Sequence, residues 1–284
     1  MAKAALTLET AAAMPGAECA TADIHLALGG VSHTYPARAA QGPVAALGPL
    51  DLEFRRGEFV GVVGPSGCGK STLLEIIAGL VTPTSGTIEM DGRDITGTVA
   101  DEIGVVFQED ATFAWLNVWD NVAFGLRRAG TDGAEIARRV DQVLAFMGLT
   151  GFRSAYPAQL SGGMRQRVCI ARTLVLRPRL ILLDEPFGAL DQQTRLLMGE
   201  ELLRLWRETG ATVMLITHAL DEAALLSDRV AVMSARPGRL IDIVTTGWPR
   251  ERDSALVADP TFGALTGRLW ALLRDESKKA LGVS

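Results

Sequence analysis

The chain has 284 residues, enough to bury a substantial core without disulfides or a structural metal. Its 28 basic and 33 acidic side chains give a net charge of −5, so nucleic acid is not an expected partner. Cys19, Cys68 and Cys169 lack the spacing of metal ligands and favour neither a disulfide framework nor a zinc site. No stretch approaches the roughly 18 apolar residues that a membrane-crossing helix needs, so any membrane role requires a partner.

The N-terminal part of the chain predicts a leader followed by a small sheet. Residues 1–23 are Ala-rich, but Thr7 and Glu9 interrupt the apolar runs, so we expect a disordered leader and not a signal peptide. Alternating apolar and polar residues then occur in the ranges 24–54 and 86–90. This alternation predicts a small antiparallel sheet.

Three short aliphatic runs predict strands that are buried on both faces of a mainly parallel sheet. They cover residues 59–63, 180–183 and 212–216. Ligands bind beyond the carboxyl ends of strands in open α/β sheets, so the residues after these runs should converge on one site. These residues are Gly64, then Asp184 and Glu185, then Thr217 and His218.

The rest of the chain predicts helices and one edge hairpin. Apolar residues recur at helical spacing in the range 134–147, which indicates a helical subdomain over about residues 110–176. Apolar runs at 230–233 and 240–244 flank a turn and predict an edge hairpin. From Asp259 onward we expect a final amphipathic helix that packs loosely.

The range 64–71 reads Gly-Pro-Ser-Gly-Cys-Gly-Lys-Ser and matches the P-loop pattern between a predicted strand and a predicted helix at 72–80. Its glycines let backbone N–H groups turn inward, and the helix N-terminus adds partial positive charge, so phosphates should bind. Lys70 is expected to reach the β and γ phosphates of ATP, and the Ser71 hydroxyl to bind Mg²⁺. The residues predicted to hold the nucleotide are Gly64, Pro65, Ser66, Gly67, Cys68, Gly69, Lys70, Ser71 and Thr72.

Polar residues at two further strand ends complete a hydrolytic site. Asp184 has the position of a metal-holding aspartate, and Glu185 that of the base that orients and deprotonates water. By themselves, an acidic pair before Pro186 also suits a plain turn, and His218 also suits a structural role. Because their strands end on the same side as Gly64, we expect Glu185 to be the base and His218 to contact the γ phosphate.

The range 160–167, Leu-Ser-Gly-Gly-Met-Arg-Gln-Arg, resembles the signature motif of ATP-binding-cassette (ABC) proteins. Ser161 should cap the helix that follows at 164–176, and with the Gly163 N–H it would form a second anion site. The P-loop already holds the phosphates of its own subunit, so the second site needs a partner. The resemblance implies a head-to-tail dimer in which each signature covers the other subunit's ATP.

Further positions extend the resemblance from residue 24 to about residue 244. Gln108 resembles the Q-loop glutamine that touches Mg²⁺ and the attacking water, and residues 188–191 resemble the D-loop. Tyr35 stands where the family stacks an aromatic ring on adenine, although it also suits a plain strand residue. The implied fold is an α/β P-loop NTPase core with a mainly parallel sheet, a small antiparallel β subdomain and a helical signature subdomain. It would form an ABC ATPase domain over 24–250, followed by a C-terminal helical extension over 251–284.

The resemblance assigns each site residue a role. The residues expected to act in hydrolysis are Lys70, Gln108, Glu185 and His218. The residues expected to hold Mg²⁺ are Ser71, Gln108 and Asp184. The residues expected to bind ATP outside the P-loop are Tyr35, Ser161 and Gly163.

Within the family, residues 115–126 and 184–191 are similar to the ATPases of nitrate, sulfonate and taurine importers. This resemblance implies a subunit that energises import of a small anionic or sulfonate-like solute. Its implied partners are a second ATPase subunit, identical or a close paralogue, membrane permease subunits and, indirectly, an external solute-binding protein. Its implied location is the cytoplasmic face of the bacterial inner membrane. An exporter, a lipid-extracting motor and a non-transport ATPase remain the alternatives.

An apolar cluster follows Gln108, with members at Phe113, Trp115, Leu116, Val118 and Trp119. One interpretation is that these side chains pack the core of the helical subdomain. The other is that some of them form a groove for a short helix of the permease.

Overall fold

The computed structural model describes residues 23–37, 42–108, 111–188 and 190–282. Residues 1–22 of the predicted leader, which include Cys19, and Ala189 of the predicted D-loop lie outside these ranges. The strands are β1 (Ile24–Tyr35), β2 (Val44–Arg55), β3 (Phe59–Val63), β4 (Ser85–Met90), β5 (Arg93–Asp94), β6 (Ile103–Val106), β7 (Leu180–Asp184), β8 (Thr212–Ile216), β9 (Arg229–Met233) and β10 (Leu240–Thr245). The α-helices are α1 (Lys70–Ile77), α2 (Val118–Arg128), α3 (Gly133–Phe146), α4 (Gly162–Leu174), α5 (Gln192–Thr209), α6 (Leu220–Leu226) and α7 (Pro260–Leu281).

The main sheet has six strands in the order β10-β9-β3-β8-β7-β6. β3 pairs in parallel with β8 and β9, and β7 pairs in parallel with β6 and β8. β10 runs antiparallel to β9 at the edge, where the peptide bond between Arg236 and Pro237 in the connecting turn is cis. The predicted mainly parallel sheet and edge hairpin are both confirmed.

The central strands are buried on both faces, as their continuous aliphatic composition predicts. Successive side chains of a strand point to opposite faces, so each strand contributes to two separate cores. Phe59 and Val63 of β3 belong to the larger core, which continues into the helical subdomain and α5–α7. Val60 and Val62 belong to the smaller core beneath α1 and the second sheet.

The second sheet has four strands in the order β2-β1-β4-β5. β1 pairs antiparallel with both β2 and β4, which confirms the predicted antiparallel subdomain. The two-residue strand β5 extends its edge. Leu26 and Phe54 from this sheet are fully buried and pack in the smaller core, so the two sheets share that core.

The helical subdomain consists of α2, α3 and α4, which pack against one another. A short polar residue caps each helix: Asn117 begins α2, Asp132 begins α3 and Ser161 begins α4. Each side chain accepts a hydrogen bond from a backbone N–H of the first turn, which satisfies one of the donors that a helix start leaves free. The fully buried side chains of the subdomain include Val122, Val140 and Val168.

The C-terminal helix α7 packs closely, and the expectation of loose packing is wrong. Asp259 caps the helix, and Phe262, Leu269 and Leu273 are buried in the larger core. α7 contacts α6, β9 and β10, so its apolar face continues the core beside the edge hairpin. No helix within the described ranges is long and apolar enough to cross a membrane.

Candidate functional site

The carboxyl ends of β3, β7 and β8 lie side by side and border a cleft of about 370 Å³. Its lining residues are Tyr35, Val44, Ala46, Ser66, Gly67, Gly69, Lys70, Ser71, Thr72, Gln108, Glu185, His218 and Arg236. The predicted convergence of the strand-end segments is therefore present in the fold. Gly64, Pro65, Cys68 and Asp184 lie behind this lining and are buried.

The P-loop connects the end of β3 to the first turn of α1, as its sequence context predicts. Gly69 has φ of 106°, and a Cβ there would lie 2.7 Å from the Ala46 carbonyl oxygen, so this position requires glycine. The Lys70 ammonium donates hydrogen bonds to the carbonyls of Gly64, at 2.9 Å, and Pro65, at 3.0 Å. Burial lowers the pKa of Lys70, and the nearby Glu185 and Asp184 carboxylates act in the opposite direction.

Cys68 supports the loop from below and does not line the cleft. Its side chain is buried, with the thiol 4.0 Å from the Lys70 ammonium, and burial raises the pKa of the thiol. The Cys68 side chain therefore packs the base of the loop as a neutral group, while the backbone of the loop faces the nucleotide side.

Asp184 ends β7 with 6% of its surface exposed. Burial raises the pKa of its carboxyl group, and a hydrogen bond from the Ser71 side chain opposes this effect. One carboxylate oxygen, Oδ1, is buried and has no hydrogen-bond partner in the described part of the chain. A buried, unpaired carboxylate oxygen beside a hydroxyl group fits a hard cation such as Mg²⁺. Within the described ranges, no group of three or more His, Cys, Asp or Glu side chains is placed to hold a metal ion.

The Glu185 carboxylate is held between two other predicted site residues. Its Oε2 accepts a hydrogen bond of 3.1 Å from the Gln108 side-chain amide, and its Oε1 lies 2.6 Å from Nε2 of His218. The Glu185 backbone has φ of 46°, an uncommon conformation for a residue with a side chain, and its N–H donates to the Ile216 carbonyl of β8 at 2.9 Å. This geometry directs a carboxylate into the cleft immediately after the buried Asp184.

Sequence reasoning missed a buried support behind His218. The Thr217 hydroxyl donates a hydrogen bond to Oε2 of Glu222, a residue of α6, and accepts one from the Ala219 N–H at 3.0 Å. Glu222 is 9% exposed, and burial raises its pKa to about 7. Thr217 and Glu222 thus fix the turn that carries His218. The only signal for this support in the sequence was the acidic residue that follows a strand-end histidine.

Tyr35 lies at the rim of the cleft, at the end of β1. Its hydroxyl is 3.2 Å from the Thr72 hydroxyl, and its ring meets the His33 ring edge-on at 4.5 Å between centroids. These contacts orient an aromatic ring beside the P-loop. Val44 and Ala46 of β2 add apolar surface next to it, and neither was predicted from the sequence.

The signature residues lie apart from the cleft of their own chain. Ser161 and Gly162 are exposed at the N-terminus of α4, and Ser161 accepts a hydrogen bond from the Met164 N–H at 3.3 Å. Neither Ser161 nor Gly163 lines the cleft. One chain therefore presents a P-loop cleft and a separate helix N-terminus.

The apolar cluster after Gln108 divides between the two interpretations. Val118 is fully buried in the larger core, and the indole N–H of Trp119 donates to Asp141 at 3.1 Å. Trp115, in contrast, is 74% exposed, and its ring lies 5.4 Å from that of Phe113.

Comparisons with known proteins agree with this geometry. The family model described as ABC transporter matches residues 47–188, half of the chain. The nitrate import ATP-binding protein NrtD of Synechocystis sp. is 44% identical over 240 residues, which cover 82% of this chain and 90% of that protein. The taurine import ATP-binding protein TauB of Jannaschia sp. is 48% identical over 199 residues, covering 70% and 74% respectively.

A solved structure shares the fold. It is a dimeric ATP-binding cassette in a post-hydrolysis state, bound to ADP and phosphate. It is 33% identical with a TM-score of 0.69, and the match covers 79% of this chain and all of that chain. The family model, the relatives and the shared fold all agree with the P-loop cleft and the signature helix. The chain therefore belongs to the ABC transporter family as an ATP-binding and ATP-hydrolysing subunit.

Proposed function

We propose that this ATPase energises the import of a small anionic or sulfonate-like solute through a membrane permease. The observation that carries the hydrolytic part is the Glu185 carboxylate, held between Gln108 and His218 in the P-loop cleft. The import part is supported by relatives named as taurine and nitrate import ATP-binding proteins. The ABC ATPase domain proposed for residues 24–250, with its extension over 251–284, would carry both functions.

In the proposed mechanism, the P-loop amides and Lys70 bind the phosphates of ATP, and Tyr35 stacks on the adenine ring. Glu185 accepts a proton from the water that attacks the γ phosphate, and Gln108 helps to orient that water. His218 donates a hydrogen bond to the γ phosphate. In the structure His218 and Gln108 both contact Glu185, so all three side chains already meet at one point.

Mg²⁺ would be held by the Ser71 hydroxyl and by the buried Asp184 carboxylate, whose Oδ1 has no hydrogen-bond partner among the described residues. Gln108 uses its amide nitrogen to contact Glu185, which leaves an amide oxygen as the proposed third ligand. When bound with ATP, the ion would neutralise charge on the β and γ phosphates.

The substitution Glu185→Gln tests the hydrolytic assignment. It keeps the shape of the side chain and removes its basicity, so kcat should fall by about 10²–10⁴ while the Kd for ATP stays within about twofold. Single-turnover hydrolysis and a fluorescent-nucleotide titration would measure the two effects. Glu201→Gln is the control, because Glu201 lies on α5 outside the cleft, has a side chain that is 44% exposed and pairs with Arg204 one helical turn away at 2.5 Å. Full hydrolysis by the Glu185 variant would remove this residue from the role of base.

The partner that closes the site would be a second copy or a close paralogue. Ser161 and the Gly163 N–H would bind the γ phosphate held by the other subunit, since both lie at a helix N-terminus outside their own cleft. The dimeric cassette that this chain resembles supports such an assembly.

The permease would contact an aromatic patch that consists of Phe107, Phe113, Trp115 and Phe124. Phe107 and Phe124 are 41% and 42% exposed, and the ring of Phe113 lies 4.7 Å from that of Phe124. The patch directly adjoins Gln108, so movement of the Q-loop would reach the permease through it. Exposed aromatic rings are typical anchors of protein interfaces. Through this contact the subunit would sit on the cytoplasmic face of the bacterial inner membrane.

Trp115→Ala tests the patch. We expect loss of co-purification with the permease and loss of solute-stimulated ATPase activity, while basal ATPase activity and thermal stability remain those of the unaltered chain. Trp270→Ala is the matched control, because Trp270 is 54% exposed on α7, outside the patch. Equal permease binding by the two variants would contradict the assignment.

The transported solute and direction can be tested with the reconstituted complex. The chain is purified with its permease and any solute-binding protein and placed in proteoliposomes. Uptake assays should then show ATP-dependent uptake of taurine, nitrate or an alkanesulfonate. The binding protein supplies the specificity, so the ATPase should respond only when that protein carries its solute. Outward transport would instead support the exporter alternative.

A further inference from the structure

Arg236 is a cationic residue of the cleft that the mechanism above does not use. It lies in the turn between β9 and β10 and, with Lys70, is one of two lysine or arginine residues among the lining residues described. The Lys70 ammonium is already bound to two P-loop carbonyls. The Arg236 side chain is exposed and makes no hydrogen bond or ion pair with the described part of the chain.

The turn that carries Arg236 is fixed against the P-loop. Gly238 donates its N–H to the Ala46 carbonyl at 3.0 Å and accepts a hydrogen bond from the Gly48 N–H at 2.9 Å. A Cβ on Gly238 would lie 2.1 Å from the carbonyl oxygen of Cys68, so the turn rests directly on the loop backbone. The position of the turn relative to the P-loop is therefore set by backbone contacts.

The C-terminal helix holds the same turn from the other side. Oε2 of Glu276, on α7, accepts a hydrogen bond of 2.8 Å from the Ala235 N–H, next to Arg236. A hydrogen bond from the Lys279 side chain, together with this one from Ala235, keeps the pKa of Glu276 below its usual range. Leu269 and Leu273 anchor α7 in the core, so Glu276 is presented from a rigid element.

We propose that Arg236 is a nucleotide-binding residue whose guanidinium group contacts phosphate oxygens of ATP, and that Glu276 of α7 positions it. A guanidinium group suits this task because it is permanently charged and presents a planar set of donors that match phosphate oxygens. The proposal adds to the ATP site described above and relies on ATP binding there. It gives the C-terminal helix a direct connection to the nucleotide.

Arg236→Ala and Arg236→Lys test the contact. Loss of one charge-assisted hydrogen bond should raise the Kd for MgATP by about tenfold in the Ala variant and less in the Lys variant. Adenosine carries no phosphate, so its affinity should not change. Because a cation is removed, the salt dependence of ATP binding should also become weaker.

Arg239→Ala is the matched control, since Arg239 is an exposed arginine of the same turn that packs over Gly48 outside the cleft. Its ATP affinity should equal that of the unaltered chain. Equal affinities for the Arg236 and Arg239 variants, or an equal loss for adenosine and ATP, would overturn the phosphate contact. Failure of the unaltered chain to bind ATP would instead refute the ATP site itself.

A double-mutant cycle tests the positioning role of Glu276. Glu276→Ala should raise KM for ATP several-fold with kcat unchanged, because Glu276 does not touch Glu185, Gln108 or His218. In an Arg236→Ala background the same change should add no further loss, since its effect passes through Arg236. Additive losses would assign Glu276 a structural role only. Thermal melts of each variant establish that the chains compared are folded.

Discussion

Glu222 holds a buried carboxyl group directly behind the turn that presents His218. Its pKa is raised to about 7 by burial, while the Thr217 hydrogen bond and the charge of Arg195 act in the opposite direction. Oε1 of Glu222 and Nε of Arg195 are both buried without a hydrogen-bond partner in the described chain. The neighbouring charges of Asp221 and Glu185 disfavour ionisation further. Near neutral pH this group therefore changes between a neutral and a charged state.

We expect Glu222 to make the fold less stable as pH rises. A carboxyl group with a pKa near 4.5 when unfolded and about 7 when folded binds more protons in the folded state between these values. Its contribution is fully present below about pH 4.5 and is lost as pH rises through 7. The glutamine of the Glu222→Gln chain remains neutral. At pH 8.5 the free energy of unfolding of this chain should therefore exceed that of the unaltered chain, by at most about 3 kcal/mol.

Urea unfolding at pH 5.5 and pH 8.5 measures this effect. The difference in unfolding free energy between the Glu222→Gln chain and the unaltered chain should be larger at the higher pH. Glu208→Gln is the control, since Glu208 is exposed at the end of α5 and is not among the charges that act on Glu222. A difference that is independent of pH would show that Glu222 does not titrate in this range.

The sequence located those site residues that belong to local motifs, and it failed for those that only the fold brings in. Lys70, Glu185 and His218 each follow a strand whose aliphatic pattern is readable, so their convergence could be predicted. Arg236 sits in an edge turn that looks like any loop in the sequence. It reaches the cleft only because β9 pairs in parallel with β3, and that pairing depends on contacts far apart along the chain.

At the scale of elements, strands were easier to predict than helix ends. The predicted runs at 59–63 and 212–216 coincide with β3 and β8. The helix predicted at 72–80 is α1, Lys70–Ile77, which starts earlier, at the P-loop lysine. It also ends earlier, because Gly79 adopts a φ of 73° against the Thr98 carbonyl. The close packing of α7 was missed, because an amphipathic pattern identifies an apolar face but not the depth to which it is buried.

The segment between the edge hairpin and α7 is held by a buried arginine. Arg252 donates to Asp228 at 2.7 Å and to the Leu226 carbonyl at 2.5 Å, and its guanidinium lies over the Trp206 ring at 4.9 Å. Its side chain is fully buried, and burial lowers its pKa despite the Asp228 charge. These contacts join the start of the C-terminal extension to α5 and to the end of α6.

Arg252→Met should therefore destabilise the fold, by about 3 kcal/mol, because it leaves the Asp228 carboxylate and the Leu226 carbonyl without their partner. The unfolding midpoint in urea measures the loss. Arg250→Met is the comparison: Arg250 also lies over Trp206, at 4.3 Å, but it is exposed and should cost much less. If both substitutions lowered the free energy of unfolding by similar amounts, the contact with the Trp206 ring, and not the buried hydrogen bonds, would hold the segment.

At the scale of the whole molecule, the two features that we propose to bind phosphate stand apart on one chain. The P-loop cleft includes the Glu185 carboxylate, whereas Ser161 at the start of α4 is exposed. Head-to-tail pairing of two chains would bring each signature to the other chain's nucleotide and would explain both features. ATP would then act as part of the interface, and dimerisation would depend on its being bound and unhydrolysed.

We expect the Glu185→Gln chain to form dimers with ATP and to remain monomeric with ADP, as measured by size-exclusion chromatography with light scattering. Adding Ser161→Glu should keep this chain monomeric in ATP, because a carboxylate would then face the γ phosphate of the other subunit. Thermal melts check that the Ser161→Glu chain keeps its fold, because Glu is not among the preferred N-cap residues of a helix. In the hydrolysing chain Ser161→Glu should lower ATPase activity by about 10²–10³ while monomer affinity for ATP is unchanged. Ser154→Glu, at an exposed serine of the same subdomain, is the matched control. If the Ser161→Glu chain formed dimers in ATP, the signature would lie outside the interface.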